Sequence, residues 1–119
     1  MRYQLSNEES DPKKLLTSSE VSHHLAEVVG SDAGGARSVL QDFVNAFQPR
    51  ELLRLKALTD AGIGFGVEIA SSMYDDDLEP GDEPFEGVLI RAHFRSDEVV
   101  LSRGAFKRLV DAMVALAPT

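Results

Sequence analysis

The strongest structural signal in this chain lies in residues 85–101, FEGVLIRAHFRSDEVVL. Apolar and polar side chains alternate in its first part, as they do in a strand with one buried face. Four apolar side chains share that face: Val88, Ile90, Ala92 and Phe94. Residues 95–98 are polar and predict a tight turn, and residues 99–101 are apolar again. The stretch therefore predicts two antiparallel strands joined by a short turn.

The segments on either side of this hairpin extend the pattern. Ser102 is placed to cap a C-terminal helix. The apolar stripe predicted for that helix consists of Phe106, Leu109, Val110, Met113 and Val114. On the N-terminal side, residues 63–70 alternate and predict a further strand whose buried face holds Ile63, Phe65, Val67 and Ile69. Residues 74–84 are rich in acids, Pro and Gly, which predicts a loop.

The first half of the chain is predicted to be mostly helical. Residues 2–6 alternate and suit a short first strand with Tyr3 and Leu5 on one side. Three helices are then predicted from the residues that begin or end them. The first lies between Thr17 and Gly30, the second begins at Asp32, and the third lies between Pro49 and Gly62. Their apolar stripes are Val21, Leu25, Val28 and Val29, then Val39, Leu40, Phe43, Val44 and Phe47, then Leu52, Leu53, Leu55 and Leu58.

The order of predicted elements is roughly β-ααα-βββ-α. This order predicts an α+β fold with an antiparallel sheet and helices packed on one face. At 119 residues and 43% apolar composition, the chain can bury one core, and it has neither an internal repeat nor a long linker. We therefore expect a single globular domain over residues 1–119.

Composition excludes several classes of chemistry. There is no Cys, which rules out disulfides, thiol catalysis and Cys-ligated zinc. The N-terminus lacks the apolar run of a signal peptide, and no apolar stretch is long enough to cross a membrane, so a cytoplasmic protein is expected. The net charge of −8 argues against direct binding to nucleic acid or an anionic membrane and favours a basic partner.

The negative charge is concentrated in one region. Residues 57–90 contain nine carboxylates and no Lys or Arg. Seven of these carboxylates lie in residues 75–86, the acidic segment: Asp75, Asp76, Asp77, Glu79, Asp82, Glu83 and Glu86. Such a concentration costs stability through self-repulsion. It therefore suggests a function, although runs of charge are commonly just solvated surface.

Three functional interpretations compete with a solvated loop. A docking surface for a basic protein is favoured, because Tyr74 lies beside the acids as a potential interface anchor. A calcium loop is the second: five acids fit an EF-hand frame, but Pro80 occupies the position that requires Gly, and the flanking segments read as strands. A carboxylate acid–base pair is the third, and nothing in the sequence separates the pKa values of these acids.

Other polar residues do not form a recognisable catalytic or cofactor motif. His23 and His24 are adjacent on a predicted helix and point in different directions, so they do not suit one metal. His93 is a lone strand histidine, and the Gly-rich residues 62–66 lack the Lys of a phosphate-binding loop. We therefore expect no catalytic residue, no metal site and no cofactor. The basic face of residues 50–56 is a further candidate for partner contact.

Taken together, the chain resembles a bacterial immunity protein of a contact-dependent inhibition or polymorphic toxin system. The residues that carry the resemblance are Tyr74-Asp75-Asp76-Asp77, Phe85-Glu86-Gly87-Val88 and the helix entry Leu101-Ser102-x-x-x-Phe106-x-x-Leu109. The resemblance implies a small acidic α+β inhibitor that binds a cognate C-terminal toxin domain, often a nuclease, inside the producing cell. Nuclease toxins are basic because they bind the phosphates of nucleic acid, so an acidic surface can occupy the phosphate-binding site of the toxin.

The resemblance places the partner-binding surface on the acidic segment. The implied contact residues are Tyr74 as central anchor, with Asp75, Asp76, Asp77, Glu79, Asp82, Glu83 and Glu86 facing Lys and Arg of the toxin. A monomer that is not an enzyme is expected. Two alternatives stay open: a chaperone or adaptor subunit for a secreted effector, and a calcium-binding module that uses the acidic segment.

Overall fold

The computed structural model describes residues 2–5, 16–17, 27–28 and 35–116. Within these residues, an α+β fold is formed by six strands and three helices. In chain order they are β1 (Arg2–Gln4), β2 (Leu16–Thr17), β3 (Glu27–Val28), α1 (Gly35–Val44), α2 (Pro49–Asp60), β4 (Ala70–Tyr74), β5 (Val88–Ala92), β6 (Glu98–Leu101) and α3 (Arg103–Leu116). A short 3-10 turn, Asp75–Asp77, follows β4 directly. The predicted fold class is confirmed.

The main sheet has the strand order β1-β6-β5-β4. Strands β4, β5 and β6 form an antiparallel meander, and Leu89 pairs with Val100 in the predicted hairpin. Strand β1 is parallel to β6, with Tyr3 opposite Val99. The sheet is therefore mixed, and the expectation of a purely antiparallel sheet is corrected. A parallel neighbour requires a long crossover, which the chain between β1 and β6 provides.

One face of the sheet carries the main core. Alternate residues of β4, β5 and β6 contribute to it, together with Leu5 just after β1: Ala70, Tyr74, Val88, Ile90, Ala92, Val99 and Leu101. The helices contribute the predicted stripes, including Phe43 of α1, Leu55 of α2 and Phe106 of α3. The rings of Phe43 and Phe106 lie 5.8 Å apart, and Tyr74 meets Phe106 edge-on at 6.1 Å. Strand β4 and the helices α1 and α3 are thus joined by one aromatic cluster.

The ends of the helices follow their sequence signals. Ser102 Oγ accepts a hydrogen bond from Ala105 N at 3.1 Å, so it caps α3 as predicted. Helix α2 ends at Asp60 and is followed by Ala61 and by Gly62, whose φ of 73° favours glycine. There, Gly62 N donates to Thr59 O at 3.0 Å and Ile63 N donates to Leu58 O at 2.9 Å. These two bonds form a Schellman motif, which satisfies carbonyls at the end of the helix.

The prediction of a helix between Thr17 and Gly30 is wrong at its described positions. Leu16–Thr17 and Glu27–Val28 are antiparallel strands, with Thr17 opposite Glu27 and Leu16 opposite Val28. Thr and Val are residue types with high strand propensity, so the local capping signal was not sufficient to predict a helix at Thr17 and Val28. The other residues of that prediction, including His23 and His24, lie outside the described residues.

The predicted strand over residues 63–70 is displaced along the chain. Strand β4 begins only at Ala70, and residues 63–67 lie beside it, with Ser72 N donating to Phe65 O at 2.8 Å. Of the predicted buried face, Phe65 and Val67 pack against the core, whereas Ile63 and Ile69 are exposed. The sequence ASSMY of β4 has no β-branched residue, so propensity did not reveal the strand. Gly64 is required here, since a Cβ would lie 2.5 Å from Ser72 O.

Four predicted core positions are exposed instead: Leu53, Ile63, Ile69 and Phe94. Phe94 is 82% exposed because β5 ends at Ala92 and the alternation does not continue into the turn. Leu53 is 64% exposed, whereas its neighbours Leu52 and Leu55 are buried. The two buried leucines lie on the inner side of α2, and Leu53 points away from the core.

Candidate functional site

The acidic segment forms most of the connection between β4 and β5. Its two ends are joined directly, because Asp75 N donates to Gly87 O at 3.0 Å and Gly87 N donates to Asp75 Oδ2 at 2.8 Å. Gly87 has a φ of 114°, and a Cβ there would lie 2.2 Å from Leu101 O. Only glycine fits this position, which places the end of the loop tightly against β6.

Arg103, at the start of α3, holds the first end of the acidic segment. Its guanidinium donates to Asp75 Oδ1, lies 3.6 Å from Asp76 Oδ2 and stacks 5.0 Å above the Tyr74 ring. The Arg103 guanidinium, followed by the Gly87 N–H, lowers the pKa of Asp75 below its usual range. Both carboxylate oxygens of Asp75 are therefore used inside the protein.

Arg2, in β1, holds the other end. It donates to Glu83 O at 3.3 Å and to Pro84 O at 3.2 Å, and its guanidinium lies 5.6 Å from the centre of the Phe85 ring. Glu98 in β6 pairs with Arg2 at 3.3 Å. Arg2 is thus fixed by the sheet and by the backbone of the acidic segment at once. It also lies 3.8 Å from the Glu83 carboxylate, which is itself largely exposed.

The tip of the acidic segment is a hydrogen-bonded turn. Glu79 N donates to Asp82 Oδ2 at 2.9 Å, and Asp82 N donates to Glu79 O at 3.0 Å. Gly81 has a φ of 95° in this turn, with open space where a Cβ would lie. The side chain of Asp82 therefore orders the tip.

Four carboxylates of the acidic segment have no basic neighbour among the described residues. These are Asp77, Glu79, Asp82 and Glu86, whose side chains are exposed and form none of the ion pairs of the described chain. With Asp76 and Glu83, they leave six predicted contact residues on the surface. Because the segment is attached at both ends and ordered at its tip, these charges are presented on a defined scaffold rather than on a free loop.

Tyr74 is the exception, and its predicted role as surface anchor is corrected. Its side chain is only 3% exposed, it lies at the end of β4, and its hydroxyl donates to Thr59 O at 3.4 Å. Burial raises the pKa of Tyr74. Alternation along β4 turns Tyr74 inward with Ala70 and Ser72, so the ring joins the core instead of the surface.

Sequence reasoning missed the two arginines that organise the site. Arg103 lies 28 residues from Asp75 along the chain, and Arg2 lies 81 residues from Glu83. The fold brings them together because β1 and the start of α3 flank the same loop. No local pattern marks such pairs, although an arginine inside a strand and another at a helix start are candidates for internal ion pairs.

The described residues do not form a metal-binding cluster. No group of three or more His, Asp or Glu side chains in this part of the chain is arranged to hold a metal ion. Asp75, one of the five acids that fit the EF-hand frame, is bound to Arg103 and Gly87. His93 contacts Glu68 O at 2.7 Å and Ser71 Oγ at 3.1 Å, which ties the start of β4 to the end of β5.

Comparison with known proteins gives no relative. No family model, curated protein or solved structure matches this chain. None of the helices within the described residues combines the length and the apolar character needed to cross a bilayer. Function must therefore be inferred from the surface itself.

Proposed function

We propose that this protein is an immunity protein, which binds and neutralises a basic toxin domain, of the nuclease class, through the acidic segment. The observation that supports the proposal is the set of exposed carboxylates without basic neighbours among the described residues, Asp77, Glu79, Asp82 and Glu86. In this proposal the monomeric protein acts in the cytoplasm of the cell that makes the toxin. The toxin's phosphate-binding Lys and Arg residues would be the ones engaged.

The electrostatics of the segment suit such a partner. Concentrated charge of one sign speeds the encounter with an oppositely charged protein by about 10–1000-fold at low salt. Close charge pairs at an interface couple by about 1.5–7 kcal/mol, so a few of them are enough for tight binding. The inferred contact set is Asp76, Asp77, Glu79, Asp82, Glu83 and Glu86.

The anchoring of the segment supports the same proposal. A free loop loses conformational entropy when it binds, at about 0.5–1.5 kcal/mol for each side chain that is immobilised. The links from Arg2 and Arg103 restrict the backbone before any partner arrives. The segment therefore resembles a preformed binding surface more than a spacer.

A pull-down from the native cytoplasm tests the proposal. Tagged protein is washed at low and then at high salt, and retained proteins are identified by mass spectrometry. We expect one basic polypeptide, retained in stoichiometric amount at low salt and lost as the salt concentration rises. Recovery of no basic polypeptide at low salt would contradict the proposal.

A pair of matched variants locates the contact. Glu79→Gln removes one charge from the tip of the acidic segment, and Glu68→Gln removes one charge from an exposed position outside it. We expect Glu79→Gln to weaken partner binding and to reduce its salt dependence, while Glu68→Gln changes neither. Equal effects of the two variants would show that binding responds only to net charge.

A further inference from the structure

The outward side of α2 carries a second surface, distinct from the acidic segment. Arg50, Leu53, Arg54 and Ala57 are spaced by three and four residues, lie on one side of the helix and are all exposed. We call these four residues the arginine–leucine face. Leu53 is 64% exposed, and Ile63, just beyond the end of the helix, is 52% exposed. The face thus combines exposed apolar side chains with two positive charges.

The two arginines of this face are unusual in an acid-rich protein. Within the described residues, Arg50 and Arg54 form no ion pair with a carboxylate. Six other Lys and Arg side chains do form such pairs: Arg2, Lys56, Arg91, Arg95, Arg103 and Lys107. Arg108 of α3 is exposed and likewise forms no ion pair among the described residues, but only Arg50 and Arg54 lie beside an exposed leucine. These two arginines are therefore available to an external acid.

Arg54 is also held in position. Its guanidinium lies 5.8 Å from the centre of the Phe65 ring, and Phe65 in turn stacks on Phe47 of the core cluster. A stacked guanidinium keeps the N–H donors at its edge free, and these donors match the two oxygens of a carboxylate. The position of Arg54 therefore suits the recognition of an acidic side chain beside an apolar one.

We propose that the arginine–leucine face binds an acidic segment of a partner protein, whose carboxylates pair with Arg50 and Arg54 and whose apolar side chain covers Leu53. Charge complementarity identifies the occupant, because a basic partner would be repelled by both arginines. Salt screens the negative charge of the rest of the protein over distances beyond about 8 Å at physiological ionic strength. The short-range contacts with Arg50 and Arg54 therefore determine whether an acidic segment binds. The inference is independent of the acidic segment and of the toxin proposal.

Fluorescence anisotropy with defined peptides tests this inference. The probe is a labelled helical peptide of Glu and Leu, and the comparison peptides replace Glu with Lys or Leu with Ser. We expect the Glu–Leu peptide to bind more tightly than either comparison peptide. Equal binding of all three, or no binding of the Glu–Leu peptide, would overturn the proposal.

Variants identify the contact residues. Arg50→Glu and Leu53→Ser should each weaken binding of the Glu–Leu peptide, by about tenfold for the charge reversal. The matched control is Arg108→Glu, which reverses the charge of another exposed arginine without an ion pair among the described residues. Because these side chains are exposed, we expect each variant to remain folded, and thermal melts check this. Equal weakening by Arg50→Glu and Arg108→Glu would mean that net charge alone matters.

Two further measurements separate the remaining outcomes. Sedimentation equilibrium of the protein alone detects association between copies, and a dimer abolished by Arg50→Glu would replace the partner proposal with contact between copies. Glu79→Gln is expected to leave peptide binding unchanged. The pull-down tests the toxin proposal, and the peptide measurement tests the present proposal. Failure of one proposal is therefore distinguishable from failure of the other.

Discussion

Asp75 and Asp77 lie two residues apart in the acidic segment, and the fold uses them in opposite ways. Asp75 bonds to Arg103 through one oxygen and to Gly87 N through the other. Asp77 is exposed and has no ion pair among the described residues. The attached ends of the segment therefore belong to the folded structure, while its middle presents charge outward. Net charge alone does not distinguish a stabilising carboxylate from one available for binding.

Two glycines differ in the same way, one just after the end of the acidic segment and one at its tip. We expect their substitution to give the largest change in stability. Gly87→Ala places a Cβ against Leu101 O at a φ of 114°, so we expect a loss of about 3 kcal/mol in the free energy of unfolding. Gly81→Ala meets open space at a φ of 95° and should cost only about 1 kcal/mol. Urea denaturation of both variants measures the difference. Equal losses would show that the segment is not fixed at its end.

Neutralising the two aspartates provides the next test. Asp75→Asn removes the charge from the bonds to Arg103 and Gly87, and we expect it to cost about 1–2 kcal/mol of stability. Asp77→Asn is the matched control and should leave the unfolding midpoint unchanged. Both are measured by thermal melts at pH 7. A loss of the same size in both variants would remove the distinction between end and middle.

The pH dependence of stability sharpens the assignment of Asp75. Arg103 first, and Gly87 N–H second, lower the pKa of Asp75 in the folded state. Its contribution is therefore present above the unfolded pKa, about 4, and is lost as the pH falls through the lower folded value. The difference in Tm between the wild type and Asp75→Asn should stay constant from neutral pH to about 5 and shrink below 4. A constant difference down to pH 2 would contradict the ionic role.

Charge removal in the middle of the segment should give the smallest effect, with the opposite sign. Asp77→Asn, Glu79→Gln and Glu86→Gln together reduce self-repulsion, so we expect a small rise in Tm at low ionic strength. Salt screens the repulsion, and the rise should disappear at high ionic strength. A fall in Tm would show that these carboxylates stabilise the folded state.

Local periodicity was informative wherever an element is long or closed by a clear signal. The stripe of α3, the Schellman motif at Gly62 and the β5–β6 hairpin each follow from residues close together in the chain. The same reasoning failed at residues 63–70, where an alternating pattern lies beside β4 instead of within it. Only Phe65 and Val67 of the alternating side chains pack against the core, while Ile63 and Ile69 are exposed. Strand pairing depends on hydrogen-bond partners elsewhere in the chain.

The sequence by itself determined the α+β class, the helical stripes and the concentration of acid in residues 75–86, because each depends on near neighbours or on composition. Only the tertiary structure decided that Tyr74 is buried, that Asp75 is bound internally and that Arg2 and Arg103 hold the two ends of the acidic segment. The reason is physical. Whether a carboxylate is available for binding depends on which cationic side chains, distant in sequence, the fold places within a few ångströms of it. Local sequence does not reveal those distances.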